Sequence, residues 1–201
     1  MMTCLISRFS IASWIRPWLF ALVAAGALNA STARADDISG FGFVPRFGTA
    51  NYFSTTNITD TFGTPARHNF LIELGLDFGG KGFHFELTPY YLAPDFNGTG
   101  LQGAGVGIGF LGRFGLIERL YMSVGFSWRS AVLFGGNGYG IGAESYARLP
   151  IEFTYYVLDD LGIVAQVAPG YGVSGAVNVI NDEFGLGRSW LLDWGVGIRV
   201  P

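Results

Sequence analysis

Asn69-Phe70-Leu71-Ile72-Glu73-Leu74-Gly75-Leu76-Asp77-Phe78 alternates without a break. Phe70, Ile72, Leu74, Leu76 and Phe78 make one face, and Asn69, Leu71, Glu73, Gly75 and Asp77 make the other. A period of two belongs to a β-strand, because successive side chains of an extended backbone point to opposite sides. The connection Gly79-Gly80-Lys81 leads into Phe83, Phe85, Leu87, Pro89 and Tyr91, which alternate with His84, Glu86, Thr88, Tyr90 and Leu92. Two such segments joined by a tight glycine turn predict an antiparallel hairpin.

The same period recurs outward from this hairpin. Ala104, Val106, Ile108 and Phe110 alternate with Gly103, Gly105, Gly107 and Gly109. Further strands are predicted over 120–129, 146–157, 163–173 and 190–200, and a weaker first one over 40–53. The count is eight strands. Connections near 79–82, 115–119 and 158–162 are short, whereas those near 54–67, 93–102, 135–142 and 174–188 are mostly longer and rich in Gly, Asn, Thr and Asp. Short turns on one side and long loops on the other are the arrangement of a transmembrane β-barrel.

Composition agrees. Half of the 201 residues are hydrophobic, mean hydropathy is +0.37, only 13% are charged and 31 are glycine. The aromatic content of 16% excludes a disordered chain. A net charge of −3 with no basic tract argues against nucleic-acid binding. Met1 to Ala35 has the layout of a secretory signal peptide: Arg8 and Arg16, an apolar run from Trp18 to Leu28, then Ala33-Arg34-Ala35 before Asp36. That apolar run is too short to span a bilayer as a helix. Cleavage removes three of the twelve basic residues (Arg8, Arg16, Arg34) and none of the fifteen acidic ones, so residues 36–201, read as one barrel domain, carry −6. It also removes Cys4, the single cysteine, and with it any disulfide, thiol nucleophile or thiolate metal site.

One face of each strand is almost wholly apolar, while the other carries glycine, tyrosine and charge. A water-soluble barrel would do the reverse. Export and an apolar exterior therefore place the expected all-β, eight-stranded, antiparallel up-and-down barrel in the outer membrane of a Gram-negative-type cell. Phe78, Phe83, Phe114, Tyr121, Tyr155, Tyr156, Tyr91 and Phe134 fall near strand ends, where interfacial girdles belong. On these strands the chain resembles the small eight-stranded outer-membrane barrels of the OmpA transmembrane-domain, OmpX and OmpW kind, over residues 38–201. That family's assembly signal is a last strand of alternating apolar residues ending in an aromatic. Here Trp194, Val196, Ile198 and Val200 alternate, but the chain ends Val200-Pro201.

Little in the sequence carries chemistry. Gly107-Ile108-Gly109-Phe110-Leu111-Gly112 matches G-x-G-x-x-G, but it continues a period-two series and leads to another strand, so it reads as room for Tyr90, Tyr121 or Arg129 inside a narrow barrel. No cofactor is expected. His84 points inward with Glu86, His68 lies where a loop meets a strand, and no H-x-S motif of the lipid A deacylase barrels is present. Two histidines on different segments make a poor metal site.

Eleven charged residues fall on the inward face: Arg46, Glu73, Asp77, Glu86, Arg113, Arg129, Glu144, Arg148, Glu152, Asp193 and Arg199. They are expected to pair across the lumen as a structural network, with Arg46, Glu73, Glu86, Arg129, Arg148 and Asp193 as its principal members. Counting from the loop near residue 60, Arg46 and Glu73 should meet; counting from the turn near residue 80, Glu73 and Glu86 should sit side by side, with Arg148 reaching in from the far wall. The expected function is non-enzymatic, a structural or surface-interaction role through the exterior loops. The rival readings are a narrow channel for a small or hydrophobic solute, and a lipid-modifying enzyme on the barrel scaffold. The expected partners are outer-membrane lipid, lipopolysaccharide and the barrel-assembly machinery, with the chain a monomer.

Overall fold

The computed structural model describes residues 40–54, 66–80, 82–94, 96, 100–135, 141–178 and 183–200; the expected leader lies outside them. They form nine antiparallel strands: β1 (Gly40–Ser54), β2 (Ala66–Gly80), β3 (Phe83–Leu92), β4 (Leu101–Ile117), β5 (Leu120–Gly135), β6 (Ile141–Arg148), β7 (Ile151–Leu158), β8 (Leu161–Asn178) and β9 (Glu183–Arg199). The sheet order is β4-β3-β2-β1-β9-β8-β6-β5-β7, with β4 also paired to β5 and β8 to β7.

The count of nine departs from the expected eight because the segment 146–157 is divided at Leu149-Pro150. The division is one of labels rather than of register. Arg148 faces Ser127 and Gly170, and Ile151 faces Val124 and Val167, so both ladders run through without a slip. Pro150 has no N–H to give its rung toward β5, although its carbonyl still accepts from Gly125 N–H at 3.2 Å. On the other side Leu149 N–H donates to Pro169 O at 2.9 Å, and Pro169 cannot reciprocate. β6 and β7 are thus one stave, and the sheet has eight.

Stepping across the ladders from Phe53 in β1 leads to Trp190, Tyr171, Ala147, Trp128, Ile108, Leu87 and Leu76, and then to Phe43, back in β1 ten residues before the start. Every side chain on this path points to the same face. Phe41, Phe47, Leu74, Phe78, Phe110, Phe126, Trp128, Trp190, Trp194 and Val196 lie exposed on that outer face, while all eleven inward charges are buried on the opposite one. The polarity is inside out relative to a soluble barrel.

Three expectations need correction. The connection expected over 174–188 is mostly strand: Val173 to Asn178 pairs rung by rung with Arg188 to Glu183. Gly, Asn and Ser there weaken the apolar alternation without breaking the ladder. Glu73 does not sit beside Glu86. Gly79 and Gly80 belong to β2 and pair with His84 and Phe83, which moves the turn two positions along, so Glu73 faces Tyr90 and Glu86 faces Asp77. Gly82, at φ +81°, supplies the left-handed residue that this turn requires. Lastly, Tyr156 is buried and meets the half-buried Tyr121 edge-on at 5.6 Å inside the sheet, so neither joins a girdle on the outer face.

Candidate functional site

The enclosed face is organised around Arg46. Its Nε donates to Glu73 Oε2 at 3.1 Å, Nη1 to Glu152 Oε2 at 2.9 Å, and Nη2 to Glu86 Oε1. The sequence placed Arg46 at the level of Glu73, and the two are direct cross-strand partners. Glu86 is reached by the length of the guanidinium rather than by neighbouring register. Two glycines make room: a Cβ on Gly197 would meet Arg46 Cγ at 2.8 Å, and one on Gly75 would meet Arg46 Nη2 at 3.3 Å.

A second group adjoins it toward the loop side. Asp193 Oδ2 accepts from Arg148 Nη1 at 2.7 Å and from Arg129 Nη1. Both guanidiniums also lie 3.7 Å from Glu73 Oε1, so Glu73 links the two groups. Arg129 stacks on the Tyr90 ring at 3.7 Å. On the turn side Asp77 Oδ2 accepts from Arg113 at 3.0 Å and from Arg199, with His84 Nε2 at 3.8 Å from Oδ1. Near the loops Glu144 accepts from Tyr52 at 2.9 Å and from Arg67, whose guanidinium lies 3.8 Å from the centre of the Tyr52 ring.

Among the described residues, six arginines (46, 67, 113, 129, 148, 199) and six carboxylates (73, 77, 86, 144, 152, 193) therefore share this interior and balance in charge. Neutrality matters because an unpaired charge in a low-dielectric interior costs several kcal/mol. Glu152, as third partner of Arg46, escaped the sequence reading. Its alternation places it inward, but only the register across β7 shows which arginine it meets. Arg67 also escaped, since it falls in what reads as loop.

Above the Arg46 and Asp193 groups lies an apolar cluster that the sequence does not announce: Leu71, Leu92, Leu101, Leu133 and Leu191, with Tyr52, Tyr90 and Tyr146. Each leucine sits among inward glycine, tyrosine or charge in its own strand, so period two marks its face but not its purpose. The interior thus has a leucine-rich section toward the loops, which also holds the Arg67–Glu144 pair, and a charge-rich section toward the turns.

The glycines of β4 are part of this packing. A Cβ on Gly105 would stand 2.7 Å from Cζ and the hydroxyl oxygen of Tyr90, whereas one on Gly107 would meet nothing closer than 3.6 Å. Gly105→Ala should cost about 1–3 kcal/mol in urea unfolding from lipid vesicles, by overpacking. Gly107→Ala should be neutral or stabilising by up to about 1 kcal/mol, as glycine is a poor strand residue. Equal effects at the two positions would refute this account of the glycine run.

No catalytic arrangement is assembled among the described residues. Neither ring nitrogen of His84 nor the hydroxyl of Ser123 has a hydrogen-bond partner there. His68 Nδ1 lies 2.9 Å from Asn51 Oδ1, on the outer face. Gly107 to Gly112 lies wholly inside β4, with no helix to receive a phosphate. No group of three or more metal-ligating side chains occurs among the described residues.

No protein-family model and no curated protein sequence matches the chain. Among solved structures, Neisserial surface protein A is similar with a TM-score of 0.55 at 13% identity, covering 81% of this chain and 97% of that one. The attachment invasion locus protein Ail of Yersinia pestis, solved with the heparin analogue sucrose octasulfate, is also found, with a TM-score of 0.33 at 13% identity, covering 80% and 99%. The first likeness is one of fold.

Proposed function

We propose that the chain is an outer-membrane β-barrel of eight staves whose lumen is closed, and which acts at the cell surface through its loops rather than by catalysis or conduction. The inverted polarity carries this reading, with phenylalanine, tryptophan and leucine outside and a neutral arginine–carboxylate network inside. Three further observations support it. The path across the ladders returns to β1 shifted by ten residues, which for eight staves corresponds to a strand tilt of about 40° and an interior just wide enough for side chains. The strands of 15 to 18 residues on either side of the β1–β9 contact exceed the roughly 9–11 needed to cross a bilayer. The fold is like that of Neisserial surface protein A.

The leader would be removed before Asp36, the barrel-assembly machinery would insert residues 36–201, and outer-membrane lipid and lipopolysaccharide would surround a monomer. Cell fractionation with heat-modifiable gel mobility, followed by planar-bilayer recording, tests the reading. It predicts outer-membrane recovery, a folded band and no conductance; steady conductance from the native chain would favour the narrow-channel alternative. Edman sequencing of the recovered protein should begin at Asp36, and a start at Met1 would overturn the leader. Leu74→Arg, in the middle of β2 on the outer face, should cost roughly 2–4 kcal/mol of folding stability in vesicles. A silent Leu74→Arg would mean that this face does not meet hydrocarbon.

A further inference from the structure

The outer face holds a groove of about 900 Å³ where β4, β5, β6 and β8 run side by side. Small side chains make its floor, Ala104, Ser130, Ala143 and Ser145, while Val132 and Ile141 stand along it. The two serine hydroxyls lie 2.8 Å apart and bond each other, with Trp128 Nε1 donating to Ser130 Oγ at 3.2 Å. Both hydroxyl oxygens of the floor are therefore already engaged within the wall, and hydrocarbon suits the groove better than a polar ligand.

The head of the groove is different. Val173, on its rim, is the cross-strand partner of Arg188 in β9, whose side chain is exposed while Gly187 and Ser189 on either side are buried. Two residues on, Trp190 lies against Tyr171 with ring centres 5.0 Å apart. An exposed guanidinium and an aromatic pair thus share the outer face at the head of the groove, as groups at a headgroup boundary do. The row from Arg188 through Val173, Ser145, Ser130 and Val106 crosses the groove. Because a full circuit in this direction shifts ten residues toward the turn side, the row descends from the loop end as it goes. The cation stands at the upper end of this row, and the floor at Ser145, Ser130 and Val106 lies below it, the order of charge and chain in a lipid.

We propose that Arg188 and this groove seat one acylated, phosphorylated glucosamine lipid of the outer leaflet, its phosphate on the guanidinium and an acyl chain along Ala143 and Ser130. The proposal rests on the outer-membrane reading. Native mass spectrometry of the folded barrel in micelles doped with hexa-acyl diphosphoryl lipid A tests it, beside fully dephosphorylated lipid A with the same chains. The native barrel should retain one lipid A. Ala143→Phe, which fills the groove, and Arg188→Ala should each weaken retention about tenfold, and Ser130→Leu replaces Ala143→Phe if that variant does not fold. Val196→Phe, elsewhere on the outer face, should change nothing, and the dephosphorylated lipid should bind the native barrel as weakly as lipid A binds Arg188→Ala. Undiminished retention by a folded groove-filling variant, or equal retention of the dephosphorylated lipid, would overturn the proposal. So would a dimer that groove filling abolishes, since the groove would then join two copies. Fractionation of the chain away from the outer membrane would instead defeat the parent reading, which the micelle measurement does not probe.

Discussion

Arg46→Met should destabilise the folded chain by about 3–5 kcal/mol, read by urea unfolding from lipid vesicles. The substitution keeps much of the side-chain volume, so the loss is electrostatic. It strips a shared cation from Glu73, Glu86 and Glu152. The three do not suffer equally. Glu73 keeps Arg129 and Arg148 at 3.7 Å, and Glu152 keeps Arg199 at 3.7 Å. Glu86 has no other ion-pair partner among the described residues. In double-mutant cycles, Glu86→Gln should therefore recover most of what Arg46→Met loses, while Glu73→Gln should recover less. Removing one partner would then cost more than removing both, because a lone buried carboxylate is left behind. Additive effects in both cycles would show that these groups do not act as one network.

The second large effect is on conductance, which should stay absent until two barriers are opened together. All the charged groups but the Arg67–Glu144 pair lie toward the turn side and the middle of the interior. The leucines lie toward the loops: Leu92 ends β3, Leu101 begins β4 and Leu133 is two residues from the end of β5. An ion crossing the lumen meets both sections in series. Arg46→Ala with Glu86→Ala should leave the leucine section shut, and Leu71→Gly with Leu133→Gly should leave the charge section shut. Only the chain carrying all four changes should give resolved steps in planar bilayers, provided heat-modifiable mobility shows that it folds. Conductance from either pair alone would mean that the interior has a single gate.

How much of this arrangement is legible in the sequence depends on the physical signal that carries each part. Period two fixes the face of every residue from Phe70 to Phe78, and it assigns all eleven inward charges to the face on which they are buried. Depth is harder, because it depends on where each turn closes. The register of β1 on β2 centres near residue 60, so Arg46 and Glu73 meet at the level that the sequence predicts. The Gly79-Gly80 pair predicts a β2–β3 turn that closes there, yet those glycines extend the strand, and Glu86 pairs with Asp77, four positions from Glu73. Glu152 and Arg67 needed contacts across several strands, which no local pattern encodes. The interior leucines were visible as inward residues, but nothing in alternation says that five strands aim their leucines at one level.

Pro45 has a consequence for the order in which the wall is built. It lies in the contact between β1 and β9, where it can give no N–H to its neighbour. The ladder there runs from Ser54 and Ser189 down to Arg46 and Gly197, and then lapses. Below it Phe43 and Val200 form one bridge, with N–H to carbonyl distances of 2.7 and 2.9 Å. These are the two ends of the described chain, so no other pairing encloses a longer stretch of sequence or carries a larger entropic penalty for joining. Adjacent hairpins can zip locally and early, while this seam waits for all of them. It should then close from the loop side toward the turns, where the proline gap leaves a single bridge to hold the chain ends together. That bridge is the last part to form and the first to fray, so the amides of Phe43 and Val200 should exchange with solvent ahead of the rest of the seam.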